Sequence, residues 1–234
     1  MAGKIPTYTY TNPEGFWGYR TLARSAPAMQ GIASRTVGIS AEGDITQDGQ
    51  WTYALLTTLD DGLDTDPKQQ YDYQARLTWQ ATNALALEVY GDQMKKDDNG
   101  KTGNTHQISA RYQGNRWRTG ADYVERDVHG GDNNPGDAET ASVFSVINMH
   151  GWDLIGRVDR IMKPTAKGDR VAYIPFSPDA KAWVGMLAAS FSVNQYFRLM
   201  PNIQYVTYDD PVNDNKSQPS DDVYLKLTVE MTLK

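Results

Sequence analysis

The chain has 234 residues, 39% of them hydrophobic, a formal net charge of −6 and no cysteine. That length can bury a sizeable core as one domain, the missing cysteines exclude disulfides, thiolate catalysis and Cys-based zinc sites, and the absence of a Lys/Arg-rich run argues against a nucleic-acid partner. No stretch approaches the run of about eighteen apolar residues that marks a transmembrane helix.

Period-2 alternation bounded by polar, Gly or Pro clusters predicts twelve strands, at 3–10, 35–44, 50–59, 70–81, 84–93, 105–113, 116–126, 140–149, 152–161, 181–192, 197–208 and 221–233. The last is the clearest. Val223, Leu225, Leu227, Val229, Met231 and Leu233 share one face, while Tyr224, Lys226, Thr228, Glu230, Thr232 and Lys234 share the other. About ten residues of such alternation carry a tilted strand across a bilayer within a closed barrel, and they do so at low mean hydropathy because only every second residue meets lipid.

The connections alternate in length. Short ones fall at 45–49, 82–83, 114–115, 150–151 and 193–196, and long polar ones at 11–34, 60–69, 94–104, 127–139, 162–180 and 209–220. Short periplasmic turns opposite long extracellular loops are the pattern of a bacterial outer-membrane barrel, and an even strand number leaves both termini in the periplasm. The expected fold is all-β: a closed antiparallel transmembrane β-barrel of about twelve strands, forming a single domain over 1–234. The start, Met1-Ala-Gly-Lys4, has no apolar signal core, so the chain reads as a mature or engineered form, and lack of cysteine suits an oxidising periplasm. Within 11–34, the run 18–26 is the one candidate helix, either folded into the pore mouth as a constriction or carried on an external loop.

Tryptophan placement agrees with this sidedness. Trp51, Trp79, Trp117 and Trp152 lie within a few residues of a short turn and share the apolar parity of their strands, which predicts one aromatic girdle at the membrane interface. Trp183, with Tyr123 and Tyr205, would start the opposite girdle.

Several fragments carry a family resemblance: Pro13-Glu-Gly-Phe-Trp-Gly-Tyr-Arg-Thr-Leu22, Ser34-Arg-Thr-Val-Gly-Ile-Ser40, Leu87-Glu-Val-Tyr-Gly-Asp92, Ser142-Val-Phe144, Gly156-Arg-Val-Asp-Arg160 and Met200-Pro-Asn-Ile-Gln-Tyr205. Together they resemble bacterial outer-membrane porins of the phosphate-selective porin O/P type. The resemblance implies a diffusion channel, often trimeric, with anion preference in some members. Three departures stand beside it. Such porins look like barrels of about sixteen strands, so N-terminal strands are expected to be lacking here. The chain stops at Leu233-Lys234 where such barrels commonly finish on an aromatic. Pro201 interrupts the eleventh strand, where a bulge is the usual accommodation.

Chemistry-bearing clusters are sparse. The three histidines, His106, His129 and His150, have no metal-binding spacing, and His106 and Ser109 lie an odd number of residues apart on one strand, hence on opposite faces. Acids gather at Asp60, Asp61, Asp64 and Asp66 and again at Asp209, Asp210, Asp214, Asp221 and Asp222, without the spacing of a calcium loop. The glycine-rich run 129–136 is followed by neither a helix pattern nor a Lys-Ser/Thr pair, so it is not a phosphate loop.

By parity the lumen would receive Asp72, Arg76, Glu88, Arg111, Arg116, Arg118, Asp122, Arg157, Arg198, Lys226 and Glu230 as pore-lining residues, together with Glu42, Asp44, Asp92, Arg126, Asp153 and Asp159. Charges this numerous on one face need water or one another, and Arg157 is expected to pair with Asp153 or Asp159. Net charges of −3, −4 and −2 in the connections 60–69, 127–139 and 209–220 would make the outer vestibule acidic. The leading expectation is a passive diffusion pore for small hydrophilic solutes or ions, weakly cation-preferring or non-selective. It would sit among outer-membrane lipids, alone or as a homo-oligomer, with no catalysis, cofactor or metal. Two other readings stand beside it: a barrel enzyme with a loop-borne site at Asp127, His129 and Asp132, and a soluble β-sandwich or engineered soluble analogue of a barrel.

Overall fold

The computed structural model describes residues 2–8, 13–30, 32, 35–60, 72–94, 102–129, 137–163, 180–211 and 219–232. Twelve strands form one sheet: β1 (Ala2–Pro6), β2 (Arg35–Asp44), β3 (Trp51–Asp60), β4 (Asp72–Gln80), β5 (Leu85–Met94), β6 (Thr102–Gln113), β7 (Trp117–His129), β8 (Ala138–Asn148), β9 (Trp152–Lys163), β10 (Ala180–Ser192), β11 (Phe197–Pro211) and β12 (Asp222–Met231). Spatial order equals chain order and every ladder is antiparallel, so the sheet is an unbroken up-and-down meander. Two short helices, α1 (Pro13–Trp17) and α2 (Ala26–Met29), lie in the connection between β1 and β2.

Every predicted strand is present, and the differences have local causes. The first was expected to reach residue 10 but stops at Pro6, whose missing N–H cannot continue a ladder. At the long-loop end β7 runs on to His129 and β11 to Pro211. Those extensions read Asp127-Val128-His129 and Asp209-Asp210-Pro211, sequence that carries turn residues and no run of alternation, so backbone pairing outlasts the pattern that marks a strand. Pro201 causes no bulge. It sits in unshifted register opposite Leu227, and on its other side the β10–β11 pairing resumes in the same register after skipping it, so its missing donor falls on the β10 side. Closure was expected from the even strand number. Among the described residues no ladder joins β12 to β1, and the sheet has two free edges.

The tight turn between β8 and β9 shows how sequence sets the hairpins. His150 (φ 57°) and Gly151 (φ 114°) both adopt positive φ, the backbone of a two-residue hairpin turn matched to strand twist, and the Met149 N–H donates to the Trp152 carbonyl at 2.8 Å.

The two faces of the sheet differ as the alternation requires. Leu55, Val89, Ile108, Val143, Val158, Leu187, Leu225 and Leu227 point outward and are exposed, while Ala54, Leu56, Glu88, Gln107, Arg157, Val184, Met200 and Gln204 point inward and are buried. Leaving this many large apolar side chains in water is disfavoured by about 1.5–3 kcal/mol each relative to burial. The outward face therefore belongs against hydrocarbon. The largest buried core lies on the inner face, where α1 and the turn after it pack on β8–β11.

Candidate functional site

The inner face is the one part of the sheet with chemistry to offer, and the segment 13–30 lies across it. The segment first folds on itself. Glu14, 3% exposed, takes hydrogen bonds from the Arg20 guanidinium and the Ser25 hydroxyl, and the Trp17 indole N–H donates to the Ala23 carbonyl at 2.8 Å. These contacts form a compact knot with an apolar underside of Trp17, Tyr19 and Leu22. That underside meets Phe144, Val146, Ile155, Met186 and Met200 of the inner wall, with Trp17 edge-on to Phe144 at 5.0 Å. Gly120, in register opposite Phe144, makes room for its ring: a Cβ there would lie 2.4 Å from the Phe144 Cε1.

Polar bonds fix the segment at its edges. Tyr19 donates its hydroxyl to Asp153 at 2.6 Å and Thr21 donates to Glu230 at 2.6 Å. Arg118 donates to the Trp17 carbonyl at 3.0 Å, Arg157 to the Arg24 carbonyl at 2.6 Å, and the Gln30 amide to the Lys163 carbonyl at 3.1 Å. The guanidiniums of Arg118 and Arg198 stand 5.4 and 5.6 Å from the Tyr19 ring, and that of Arg157 lies 5.1 Å from the Trp17 ring. Of the two placements the sequence allowed for the run 18–26, the structure has the inner one, but the expected helix is not there: 18–25 is turn and coil, and the helices flank it at Pro13–Trp17 and Ala26–Met29. The anchors Glu14, Trp17 and Tyr19 were not among the predicted site residues. For Trp17 and Tyr19 the signal was the dense aromatic run Phe16-Trp17-Gly18-Tyr19 in a long connection between strands.

The inner-face charges are ordered in a way that only strand register reveals. Thr78, Glu88, Ser109, Asp122, Ser142 and Asp159 are successive partners across β4–β9 and form one row of acids and hydroxyls. Arg76 flanks this row on one side, Arg111 and Arg157 on the other. The Glu88 carboxylate accepts from Thr78 at 3.0 Å and faces Arg76 and Arg111 at 3.8 and 3.9 Å. Asp159 accepts from Arg157 at 2.8 Å and from Ser142 at 2.6 Å, so Arg157 chose Asp159, while Asp153 went to Tyr19. Further along the wall Arg198 stands 3.7 Å from Glu230, and Lys226 donates to Gln204 at 2.9 Å.

Of the predicted lining residues, Asp72, Arg76, Glu88, Arg111, Arg118, Asp122, Arg157, Arg198, Lys226 and Glu230 lie on inward strand positions. Arg116 does not. It occupies the turn before β7 and is exposed, because the hairpin bend takes it out of the pleat that parity assumed.

The five tryptophans of the predicted girdles face outward, whereas Trp17 is buried against the inner wall. Trp51 stacks on Trp79 at 5.6 Å, Trp117 packs by Tyr112 at 4.7 Å and Trp152 stacks on Phe191 at 5.7 Å, all at the short-turn end. Trp183 lies at the other end under the Arg160 guanidinium, near Tyr205, whose hydroxyl donates to Asp221. The outward surface there is charged, with Lys163 within 3.1–3.2 Å of Asp127 and Glu125.

Two of the three residues of the enzyme reading lie on strand β7. Asp127 is engaged by Lys163, exposed His129 ends β7, and Asp132 lies outside the described residues. The acids Asp61, Asp64, Asp66 and Asp214 and the glycine-rich stretch 130–136 also lie outside them. Among the described residues no group of three or more His, Cys, Asp or Glu side chains is placed to hold a metal.

No protein-family model and no curated protein matches the chain. Among solved structures it is similar to OmpT (in-vitro folded), an outer membrane protein of Vibrio cholerae, at 12% identity and a TM-score of 0.59, over 97% of this chain and 72% of that one. It is also similar to the siderophore receptor PirA from Pseudomonas aeruginosa, at 15% identity and a TM-score of 0.47, over 85% of this chain and 38% of that one. The fold is that of a bacterial outer-membrane β-barrel protein, and the apolar outward face with its aromatic rims is the surface that the outer membrane requires.

Proposed function

We propose that the chain is a passive pore for small hydrophilic solutes or ions, with β12 meeting β1 to close the barrel. The two-sidedness of the sheet carries this reading: a lipid-compatible outer face backs a wall lined with guanidinium, carboxylate, amide and hydroxyl groups, and such a wall is favourable only against water or solute. Selectivity then follows from lumen charge and constriction. The inner-face cations stand beside inner-face carboxylates, which leaves little excess of either sign along the wall. Near non-selectivity or a weak cation preference fits this balance better than the phosphate selectivity implied by the resemblance to porins of the O/P type. The docked segment 13–30 narrows the conduit. In this reading the protein does no chemistry and needs no cofactor.

Reconstitution into planar bilayers tests the proposal. Discrete conductance steps are expected, with reversal potentials near zero or slightly cation-selective under a KCl gradient. A well-folded sample that stays silent overturns the pore reading, and a strong anion preference overturns its selectivity.

A further inference from the structure

On the outward face, strand register sets two neighbouring rows across β3–β6, near the strand ends that carry the long connections. The row nearer those ends is Thr57, Tyr73, Gln93 and Asn104, each in register with the next. The second row runs from Leu55 through Ala75 and Gly91 to His106. Ala75 and Gly91 have little or no side chain, so the surface dips between Leu55 and His106, and a cavity of about 510 Å³ opens there. That volume falls within the span of about 300–1,000 Å³ usual for small-molecule sites. Tyr73, Gln93, Asn104 and His106 stand exposed at its rim. One step closer to the short turns, Leu77, Val89 and Ile108 form the next row and continue the lipid-facing surface.

The chemistry of the rim selects the occupant. Amide, imidazole and hydroxyl groups both donate and accept hydrogen bonds, and no Lys or Arg lines the cavity, so nothing in it favours a phosphate. Among the described residues the side chains of Gln93, Asn104 and His106 take no hydrogen bond or ion pair from the protein. The adjacent acids Glu125 and Asp127, in register with His106 and Asn104, are held by Lys163. Tyr73 adds an aromatic surface with a polar tip. Sugar hydroxyls match such a rim, but a free sugar has no use for the apolar strip beside it, whereas a glycolipid has a part for each. We propose that this notch binds the saccharide headgroup of a membrane glycolipid, whose acyl chains lie along the apolar surface of β3–β6 toward the short turns. The inference goes beyond the pore reading and needs only a membrane-facing sheet.

Native mass spectrometry of the full chain folded in lauryldimethylamine oxide, a detergent without sugar, tests the notch without requiring conduction. The probes are monogalactosyldiacylglycerol and lipid A, with dioleoylphosphatidylcholine and dioleoylphosphatidylglycerol for comparison. At least one glycolipid is expected to bind about tenfold more tightly than either phospholipid. Gly91→Leu should abolish that preference by filling the notch; a Cβ there would lie 3.7 Å from the His106 Nδ1, an ordinary contact that the strand accommodates. Gln93→Ala should weaken glycolipid binding about 3–10-fold, and it provides the readout should Gly91→Leu fail to fold. No preference for either glycolipid over phosphatidylcholine overturns the proposal. Phosphatidylglycerol binding as tightly as the glycolipids overturns it in favour of a site that reads charge. A preference that survives both substitutions also overturns it, since the glycolipid would then sit elsewhere on the outward face.

Discussion

Trp17 is the residue on which the segment 13–30 turns. Its ring fills the space above Phe144, its N–H satisfies the Ala23 carbonyl and its carbonyl takes a bond from Arg118. Trp17→Ala should cost about 3–5 kcal/mol by opening a cavity in this core, measured as a lowered denaturation midpoint. It should also raise single-channel conductance as the knot loosens, whereas unchanged conductance would place the conduit away from the segment. At the opposite extreme of exposure, Asp48 sits in the turn between β2 and β3, where hydrogen bonds from Thr46 and the Gln50 N–H hold its carboxyl below the ordinary range. A depressed folded pKa means that its stabilising contribution is present above the unfolded value, about 3.9, and is lost as pH falls through the folded one. Carboxyl NMR titration should give Asp48 a midpoint below that reference. A midpoint at or above it contradicts the turn geometry.

At the scale of elements, β12 separates the two faces most cleanly. Leu227 is 64% exposed on the outward side, and Thr228 takes a hydrogen bond from Asn202 on the inward side. Leu227→Arg should impair folding into bilayers by about 2–4 kcal/mol, as expected for a cation near the midplane. Thr228→Arg should fold normally, and equal tolerance at both sites would contradict a membrane-facing sheet. The same strand shows why so much of the fold was legible: its inward positions, Tyr224, Lys226, Thr228 and Glu230, all carry polar groups and its outward ones are all apolar, so its alternation is undisturbed. β10 shows the opposite case. Ala182, Val184, Met186 and Ala188 are buried inward while Trp183, Leu187 and Phe191 face outward, so both sides are apolar and parity no longer tells lumen from lipid. The cause is the segment 13–30, a partner more than a hundred residues away in the chain, as in the Tyr19–Asp153 bond. For the site, parity placed the individual charges. It could not show the row from Thr78 to Asp159, because that row exists only once each strand's register is set, nor that Arg116 sits on a bend.

For the whole molecule, the central issue is how the two edges of the sheet are satisfied. Unpaired strand edges invite pairing, and the absence of cysteine makes the chain a clean background for testing it. Ile5→Cys on the inward side of β1, combined with Lys226→Cys or Thr228→Cys on the inward side of β12, should form an intramolecular disulfide on oxidation if the barrel closes on itself. Bonded cysteines need Cβ atoms about 3.8 Å apart, so only the correct register reacts. Covalent dimers instead would show that a second chain satisfies the edge, and no cross-link in any register would contradict closure.

The hydrogen bond from Thr21 to Glu230 joins positions 209 residues apart, in a molecule whose ladders all connect neighbours in the chain. Hairpins can form one after another with small loop-closure costs, each new strand adding to the last. The knot at 13–30 cannot complete its contacts until β12 has arrived. Synthesised early, it makes its last contact only when the final strand is in place, so the segment locks down at the end of folding.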